Sequence, residues 1–532
     1  MGQAHTEQGE GDARDRTTGV PGWIERTGNR LPDPVFIFLW LIAALIVISV
    51  LAALAGLSAA HPTKTTADSA PLMIEATSLL SADNIARLWT EMPKTFTHFH
   101  PLGYVLVVML GAGVAERSGL FATAMRAAVR NAPRIILTPA VALVAMVGNL
   151  AADAAYVVLI PLAGVLFAAA GRHPIAGIAA AFAGVSGGFS ANLLPGQLDA
   201  LLFGITEAAA ETIDPSWDAN IAGNWYFIFA MTFVFLPVVW WVTDRIIEPR
   251  LGGGDTVAVS ATAGPVPADE TLNEQQRAGL RRAGWAVLAV VALWLFFLFG
   301  PGTPLIDEAA RPEARLSPFF RSLVGGFLLL FLAAGWAYGS ATGSVRGHRD
   351  IVRMMTEAMS DLAYYLVLSF AAAHFVAMFA WSNLGLIFAI SGADAIRSAE
   401  LPMTLVLATL VLFTGLVNLF VGSASAKWAL LAPVLVPMLM LLGISPEMAT
   451  ATYRVGDSAT NIITPLMVYF PLILTFCQRW QADFGIGSLT ATMMPYALAL
   501  LVAGLLLTMV WVAAGAPLGP GVEVGYTLPR AG

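Results

Sequence analysis

The chain has 532 residues, of which 57% are hydrophobic and only 12% charged, and its mean hydropathy is +0.73. A soluble domain carries about 25% charged residues because water must wet its surface, so half that share places most of this surface in lipid. The net charge of −7 excludes the basic footprint of a nucleic-acid binder, and a single cysteine, Cys477, excludes a disulfide scaffold.

Residues 1–33 read as a polar cytoplasmic tail. The apolar run that follows, Pro34 to Leu57, starts too far into the chain for a secretory signal and is long enough to cross a hydrocarbon core of about 30 Å. Further apolar runs at 101–116, 219–244, 283–300, 318–341, 357–390 and 487–514 predict spanning helices, because an open chain satisfies its backbone in lipid only as helix. The segment 58–100 reads as an outside loop in which 82–98 forms a short amphipathic helix. His98 and His100 then sit at an interface, with no ligand role. A Gly/Pro/Ala/Thr-rich inside linker occupies 249–276, and 516–532 forms a periplasmic tail.

Two stretches, 135–210 and 402–477, are apolar overall but broken by Asn, Ser, Asp, Lys, Gly and Pro. Each predicts a re-entrant helical hairpin (135–170 and 402–443) followed by a discontinuous helix (174–210 and 446–477). The expected fold is therefore an all-α integral membrane protein of nine transmembrane helices plus two hairpins. With the N-terminus inside, 18 of the 28 Lys and Arg fall on inside segments and 8 outside, as the positive-inside rule requires.

The two stretches also repeat one another. At an offset of 272, Leu159 meets Leu431, Pro161 meets Pro433, Pro174 meets Pro446, Gly184 meets Gly456 and Ser186 meets Ser458. Asn149-Leu150 pairs with Asn418-Leu419 after a small length change, and Tyr156 is the mate of Trp428. An odd number of crossings separates the copies, so the repeats, 34–248 and 277–515, have opposite topology, the plan of secondary transporters. Backbone breaks at membrane depth are tolerated where they line a polar cavity, which makes the four breaks the expected site.

Four charges lie at these breaks: Asp153, Lys427, Arg454 and Asp457. Each costs roughly 2.5–3.5 kcal/mol at a helix centre on insertion scales, so each needs a partner or a ligand. Neutralisation of Arg454 by Asp457, three residues on, is the bland reading; contact with substrate or a coupling ion also explains the surrounding Asn and Ser. Lys427 and Arg454 offer donors to carboxylates, while Trp428 either stacks on an aromatic group or simply packs. Asn418, Asp457 and Asn461 supply the hard oxygens a Na⁺ would take, and Asn149, Asp153 and Asn192 are their first-repeat counterpart. Asp457 could instead carry a proton, and Asp199 either relays one or caps the half-helix that follows it. No cofactor is expected beyond the coupling cation, Na⁺ or H⁺.

An enzyme reading rests on Gly184-Val185-Ser186-Gly187-Gly188, with His374 as base, or on Ser425 with Lys427. The hydrolase elbow needs a preceding strand that the sequence lacks. Ser186 also has a repeat mate in Ser458, and nucleophiles are not normally duplicated.

The stretches Asn192-Leu193-Leu194-Pro195 with Asp199, Gly422 to Trp428, and Tyr453 to Ser458 with Asn461 resemble the AbgT family of p-aminobenzoyl-glutamate transporters and antimetabolite exporters. The resemblance covers about 34–514. It implies nine helices with two hairpins, a homodimer in the bacterial inner membrane, and a basin open to the cytoplasm. It further implies p-aminobenzoyl-glutamate as substrate, or sulfonamide export driven by protons, with Na⁺ binding in some members. Position by position it points to Asp199, Ser425, Trp428, Pro446, Arg454 and Asp457 for transport, and to Asn418 with Asp457 for a cation. A Na⁺-coupled dicarboxylate symporter of the same superfamily is the neighbouring reading.

Overall fold

A computed structural model describes residues 33–65, 71–129, 133–151, 155–252, 272–309, 315–464, 466–467 and 469–528. The expected tail 1–32, most of the linker and Asp153 lie outside the described residues. Among those described, eight helices are long and apolar enough to cross a membrane. The first, α1 (Pro34–Leu54), starts on a proline and is capped by Asp33, whose carboxylate accepts the Val35 N–H at 2.8 Å.

The segment 58–97 is more ordered than a plain loop. Strands β1 (Ser58–Thr65) and β2 (Pro71–Glu75) form an antiparallel hairpin, and α2 (Ala82–Thr97) occupies the amphipathic stretch. Asn383 explains why the hairpin is held: its side-chain amide donates to the Glu75 carbonyl at 2.9 Å. The chain continues into α3 (His100–Arg117) and α4 (Leu120–Val129).

Two helix pairs occupy the stretches expected as hairpins: α5 (Leu137–Val147) with α6 (Ile160–Ala169), and later α15 with α16. After α6, α7 (Pro174–Phe182) widens into a π turn at Ala183–Gly187, loses regularity, and resumes as α8 (Gln197–Ala210). Then come α9 (Trp225–Val242), α10 (Glu274–Phe299) and α11 (Ser317–Thr342). The run 357–390, expected as one span, is divided among three helices: α12 (His348–Asp361), α13 (Ala363–Trp381) and α14 (Leu384–Ser398). The divisions fall where the backbone turns and where distant residues hold the helix ends. Asn383 turns the chain in the left-handed region (φ 59°), and α12 carries charges that Arg117 holds at Glu357, 3.2 Å away, and at Asp361.

The second pair is α15 (Met403–Asn418) and α16 (Ala424–Leu441), followed by α17 (Pro446–Thr460), a 3₁₀ turn at Asn461–Ile463, α18 (Phe470–Gln478) and α19 (Ile486–Ala514). Two repeat-related glycines allow these pieces to approach. A Cβ on Gly184 would meet Ala145 and the Ala142 carbonyl of α5, and one on Gly456 would meet Thr414 and the Val411 carbonyl of α15. Both broken helices thus press against the first arm of their own pair at the same repeat position.

The main core runs through both pairs and both broken helices, from Val141 and Phe182 to Trp428, Tyr453 and Leu500. A second cluster joins α3, α10 and α11 and touches α8 through Ala200. After α19 the chain folds back rather than trailing off: Leu518 is buried, its carbonyl accepts the Tyr226 N–H at 2.9 Å, and the Ser445 N–H donates to Val524 at 2.9 Å.

Candidate functional site

The breaks of the two repeats meet. The Ser190 N–H, in the irregular stretch after α7, donates to the Ser458 hydroxyl of α17 at 3.0 Å, and the Ser186 hydroxyl lies 3.5 Å from the Met467 sulfur. Backbone freed by one break is therefore satisfied by the other repeat, the requirement for irregular chain away from water.

Two ion pairs occupy this crossing, and neither is the local Arg454–Asp457 pair the spacing suggested. Arg454 Nη1 donates to Asp199 Oδ1 at 2.5 Å, across the repeats. Asp199 Oδ2 meanwhile accepts the Gly196 N–H at 2.7 Å, so this carboxylate fastens the start of α8 while it neutralises the guanidinium. Lys427 pairs with Asp457 and also donates to Asn418 Oδ1. Both pairs are buried, with side-chain exposures of 0–4%. The α17 face turns these residues in different directions because 454 and 457 are flanked by different helices, α8 on one side and α15 and α16 on the other.

Asn418 ends α15 with its amide aimed at α17. Its Nδ2 lies 2.7 Å from the Asp457 carbonyl, 2.9 Å from Thr460 Oγ1 and 2.9 Å from Asn461 Oδ1. Asn418, Asp457 and Asn461 are thus one constellation, as expected from the sequence. The first-repeat mate is sparser: Asn149 Nδ2 donates to Met146 at 3.1 Å and to Gly188 at 3.4 Å, while Asn192 Oδ1 accepts the Leu193 N–H at 2.8 Å.

Trp428 is fully buried and packs rather than facing open space. Its ring stacks on Tyr453 at 4.5 Å, and its Nε1–H donates to Thr206 at 2.9 Å; Thr206 in turn meets Thr450 at 2.8 Å. Tyr453 hydroxyl donates to the Ala424 carbonyl at 2.6 Å and lies 3.3 Å from Asp457. Thr206 and Thr450 fall outside the break motifs, and a hydroxyl isolated in an apolar half-helix is the sequence signal that marks each. Pro446 opens α17 beside its N-cap Ser445, whose hydroxyl accepts the Met448 N–H at 3.2 Å. Ser425 is the second residue of α16, 3.3 Å from the N-cap Ser423, against a gap bounded by Leu201 and Tyr365.

A cavity of about 270 Å³ opens beside the crossing. It is slightly below the usual 300–1,000 Å³ of ligand pockets. Arg454 and Asp199 form its charged wall, Asn149, Asn192 and Gln197 its polar part, and Tyr156, Phe189 and Tyr365 its aromatic part. Lys427 and Trp428 are not among its lining residues. Arg454 Nε is buried without a hydrogen-bond partner, leaving a donor beside this cavity unused. Tyr156 is held flat against Tyr469, 4.4 Å away. Tyr365 carries no sequence signal of its own, since it lies within the continuous apolar run 357–390.

The serine-enzyme geometry does not assemble: Ser186 faces Met467, His374 Nδ1 lies 2.7 Å from the Phe370 carbonyl, and the Lys427 ammonium faces Asp457 and Asn418. Among the described residues no group of three or more His, Cys, Asp or Glu is placed to hold a metal ion.

Comparison with known proteins gives these residues a context. Residues 20–526 match the family model described as "AbgT putative transporter family". The p-aminobenzoyl-glutamate transport protein of Escherichia coli (strain K12) is 36% identical over 501 residues, which is 94% of this chain and 96% of that protein. The crystal structure of the Alcanivorax borkumensis YdaH transporter is 43% identical, with a TM-score of 0.83 over 92% of this chain and 100% of that one. Neisseria gonorrhoeae MtrF, whose structure is said to illuminate a class of antimetabolite efflux pumps, is 41% identical, with a TM-score of 0.86 over 94% and 99%. These relatives are transporters and efflux pumps, not enzymes, and their likeness runs through both repeats. This chain belongs to the AbgT transporter family.

Proposed function

We propose that the chain is a secondary active transporter of p-aminobenzoyl-glutamate, or an exporter of folate-pathway antimetabolites such as sulfonamides, driven by a H⁺ or Na⁺ gradient. It works as a homodimer in the bacterial inner membrane, with its N-terminus in the cytoplasm and its C-terminus in the periplasm. The observation that carries the reading is the Arg454 guanidinium, buried beside a cavity with an unused Nε donor and aromatic rings around it. A guanidinium edge suits a carboxylate, and Tyr156, Phe189 and Tyr365 suit an aromatic ring. The name of the Escherichia coli relative supports the substrate, and that of MtrF supports export.

p-Aminobenzoyl-glutamate and a plain dicarboxylate both carry two carboxylates, so the ring is what separates them, and a plain dicarboxylate would leave Tyr156, Phe189 and Tyr365 without a partner in the cavity. The lining therefore favours an aromatic acid over the dicarboxylate reading. The test is flux of radiolabelled p-aminobenzoyl-glutamate and of a sulfonamide into proteoliposomes under separately imposed Na⁺ and H⁺ gradients. Gradient-dependent flux is expected in the wild type, with loss in Asp457→Ala. In Arg454→Ala the loss should be larger for p-aminobenzoyl-glutamate than for the sulfonamide, which lacks the glutamate tail. Flux indifferent to both gradients overturns the proposal, and competition by simple dicarboxylates as strong as that by p-aminobenzoyl-glutamate overturns the substrate class.

A further inference from the structure

The oxygens of the second-repeat constellation are already engaged by donors from the protein itself. Asn418 Oδ1 accepts Lys427 Nζ; Asp457 Oδ1 accepts the same ammonium and lies 3.3 Å from the Tyr453 hydroxyl. The Asp457 carbonyl, Thr460 Oγ1 and Asn461 Oδ1 all face the Asn418 amide within 2.9 Å. A hard cation such as Na⁺ must take such oxygens for itself. Here they face N–H and O–H groups, and a charged ammonium stands among them with its side chain fully enclosed. The residues present do not fit a bound Na⁺.

The two copies of the repeat add an independent observation. At the offset that aligns Ser186 with Ser458, the mates of Lys427 and Asp457 are Ala155 and Val185. The first copy thus lacks both members at these positions, its break aspartate Asp153 aligning with Ser425 instead, while it keeps the Asn149 counterpart of Asn418. Within this one chain the lysine and the aspartate are present together or absent together, as expected if each exists to neutralise the other. An aspartate meant for a free Na⁺ would need no such companion.

We propose that the Lys427 ammonium is the resident cation of this site, standing where a coupling Na⁺ would otherwise sit, and that the chain binds no Na⁺ between Asn418 and Asp457. The proposal deepens the coupling part of the transport reading and rests on it only for the consequence that flux is independent of Na⁺. Binding is measured without substrate, so the two stand or fall separately.

The experiment uses the purified full chain, with ²²Na⁺ binding and thermal unfolding measured in NaCl against choline chloride at equal ionic strength. Wild type is expected to bind no ²²Na⁺ beyond Asp457→Asn and to unfold at the same temperature in both salts. Lys427→Ala, in which the ammonium is gone and its space is open, is expected to gain a Na⁺-specific rise in unfolding temperature of roughly a few degrees. The double variant Lys427→Ala/Asp457→Ala should lose that rise. Asp457-dependent ²²Na⁺ binding by wild type overturns the proposal, as does a folded Lys427→Ala with no response to Na⁺. Lys427→Gln serves if the alanine variant is not recovered, and the wild-type measurement decides by itself if neither is. Absence of p-aminobenzoyl-glutamate flux in any of these proteins bears on the transport reading and leaves the Na⁺ result as it stands.

Discussion

Trp428 joins three elements through one side chain: it lies on α16, stacks on Tyr453 of α17 and donates to Thr206 of α8. Trp428→Phe keeps most of the ring and removes the donor, which leaves Thr206 with its Leu202 and Thr450 contacts. The expected loss is about 1 kcal/mol, the net worth of one hydrogen bond. Trp428→Ala should cost about 3–5 kcal/mol through the cavity it opens. Thermal unfolding in detergent checks the order, and equal stability of the two variants would remove Trp428 from the packing role. At this scale the sequence identified the chemistry-bearing residues better than their partners. Asp199, Asn418, Lys427, Arg454, Asp457 and Asn461 all lie at the crossing, because burial of charge in an apolar chain is visible without coordinates. Which cation takes which carboxylate was not, since Arg454 and Asp199 are 255 positions apart and meet only when the repeats cross.

At the scale of elements, the hinge points are fastened from outside the crossing. Arg172, in the turn between α6 and α7, donates to both Glu248 oxygens at 3.0–3.1 Å, to Asp244 at 2.5 Å and to Thr138 at 2.7 Å, tying the first helix pair to the end of α9. Arg172→Gln leaves two carboxylates facing each other. It should lower stability by up to about 3 kcal/mol, at the low end for a broken buried pair because Asp244 is 30% exposed. Unfolding of the variant in detergent checks this, and an unchanged midpoint would make the cluster ornamental. At the start of α17 the C-terminal strap does similar work. Tyr526 hydroxyl donates to Asp214 at 2.6 Å, and Ser216 donates to the same carboxylate. Burial pushes the Asp214 carboxyl up, and the hydrogen bonds from Ser216 and Tyr526 outweigh it and leave it below its ordinary value. A depressed folded value makes this stabilisation complete above the unfolded value of about 3.9 and lost as pH falls through the folded one. Tyr526→Phe is therefore expected to lower the unfolding temperature at pH 7 and to differ less from wild type below about pH 4. A difference that grows on acidification would contradict the sign. The strap, the β1–β2 hairpin and the division of 357–390 escaped sequence reading for one reason. Each depends on a contact far along the chain, such as Asn383 with Glu75, while hydropathy reports only local burial in lipid.

Across the whole molecule the two broken helices share the main core with α15, α16 and α19, while α3, α10 and α11 form a second cluster that α8 touches through Ala200. Within that second cluster α3 and α11 approach closely: a Cβ on Gly111 of α3 would collide with the Leu328 backbone of α11, and one on Gly335 of α11 would meet Ala115 at 2.7 Å. Beside that pair, α8 meets α3 where the Tyr104 hydroxyl donates to Glu207 Oε2 at 3.0 Å. Transport by a moving body predicts that tying this contact stops flux. The chain is suited to the test because its single cysteine, Cys477, is buried in α18 and can be replaced by alanine first. In that background, Tyr104→Cys with Glu207→Cys, joined through two disulfides by a short bis-methanethiosulfonate reagent that releases methanesulfinate, is expected to lower gradient-driven flux of p-aminobenzoyl-glutamate by about tenfold or more, as locking a required conformational step does. Reduction should restore it, and each single cysteine treated alike should retain flux. Full flux from a protein shown to be cross-linked would mean that α8 and α3 stay together throughout the cycle. The moving boundary would then lie within the crossing itself, where Arg454 and Asp199 would have to part.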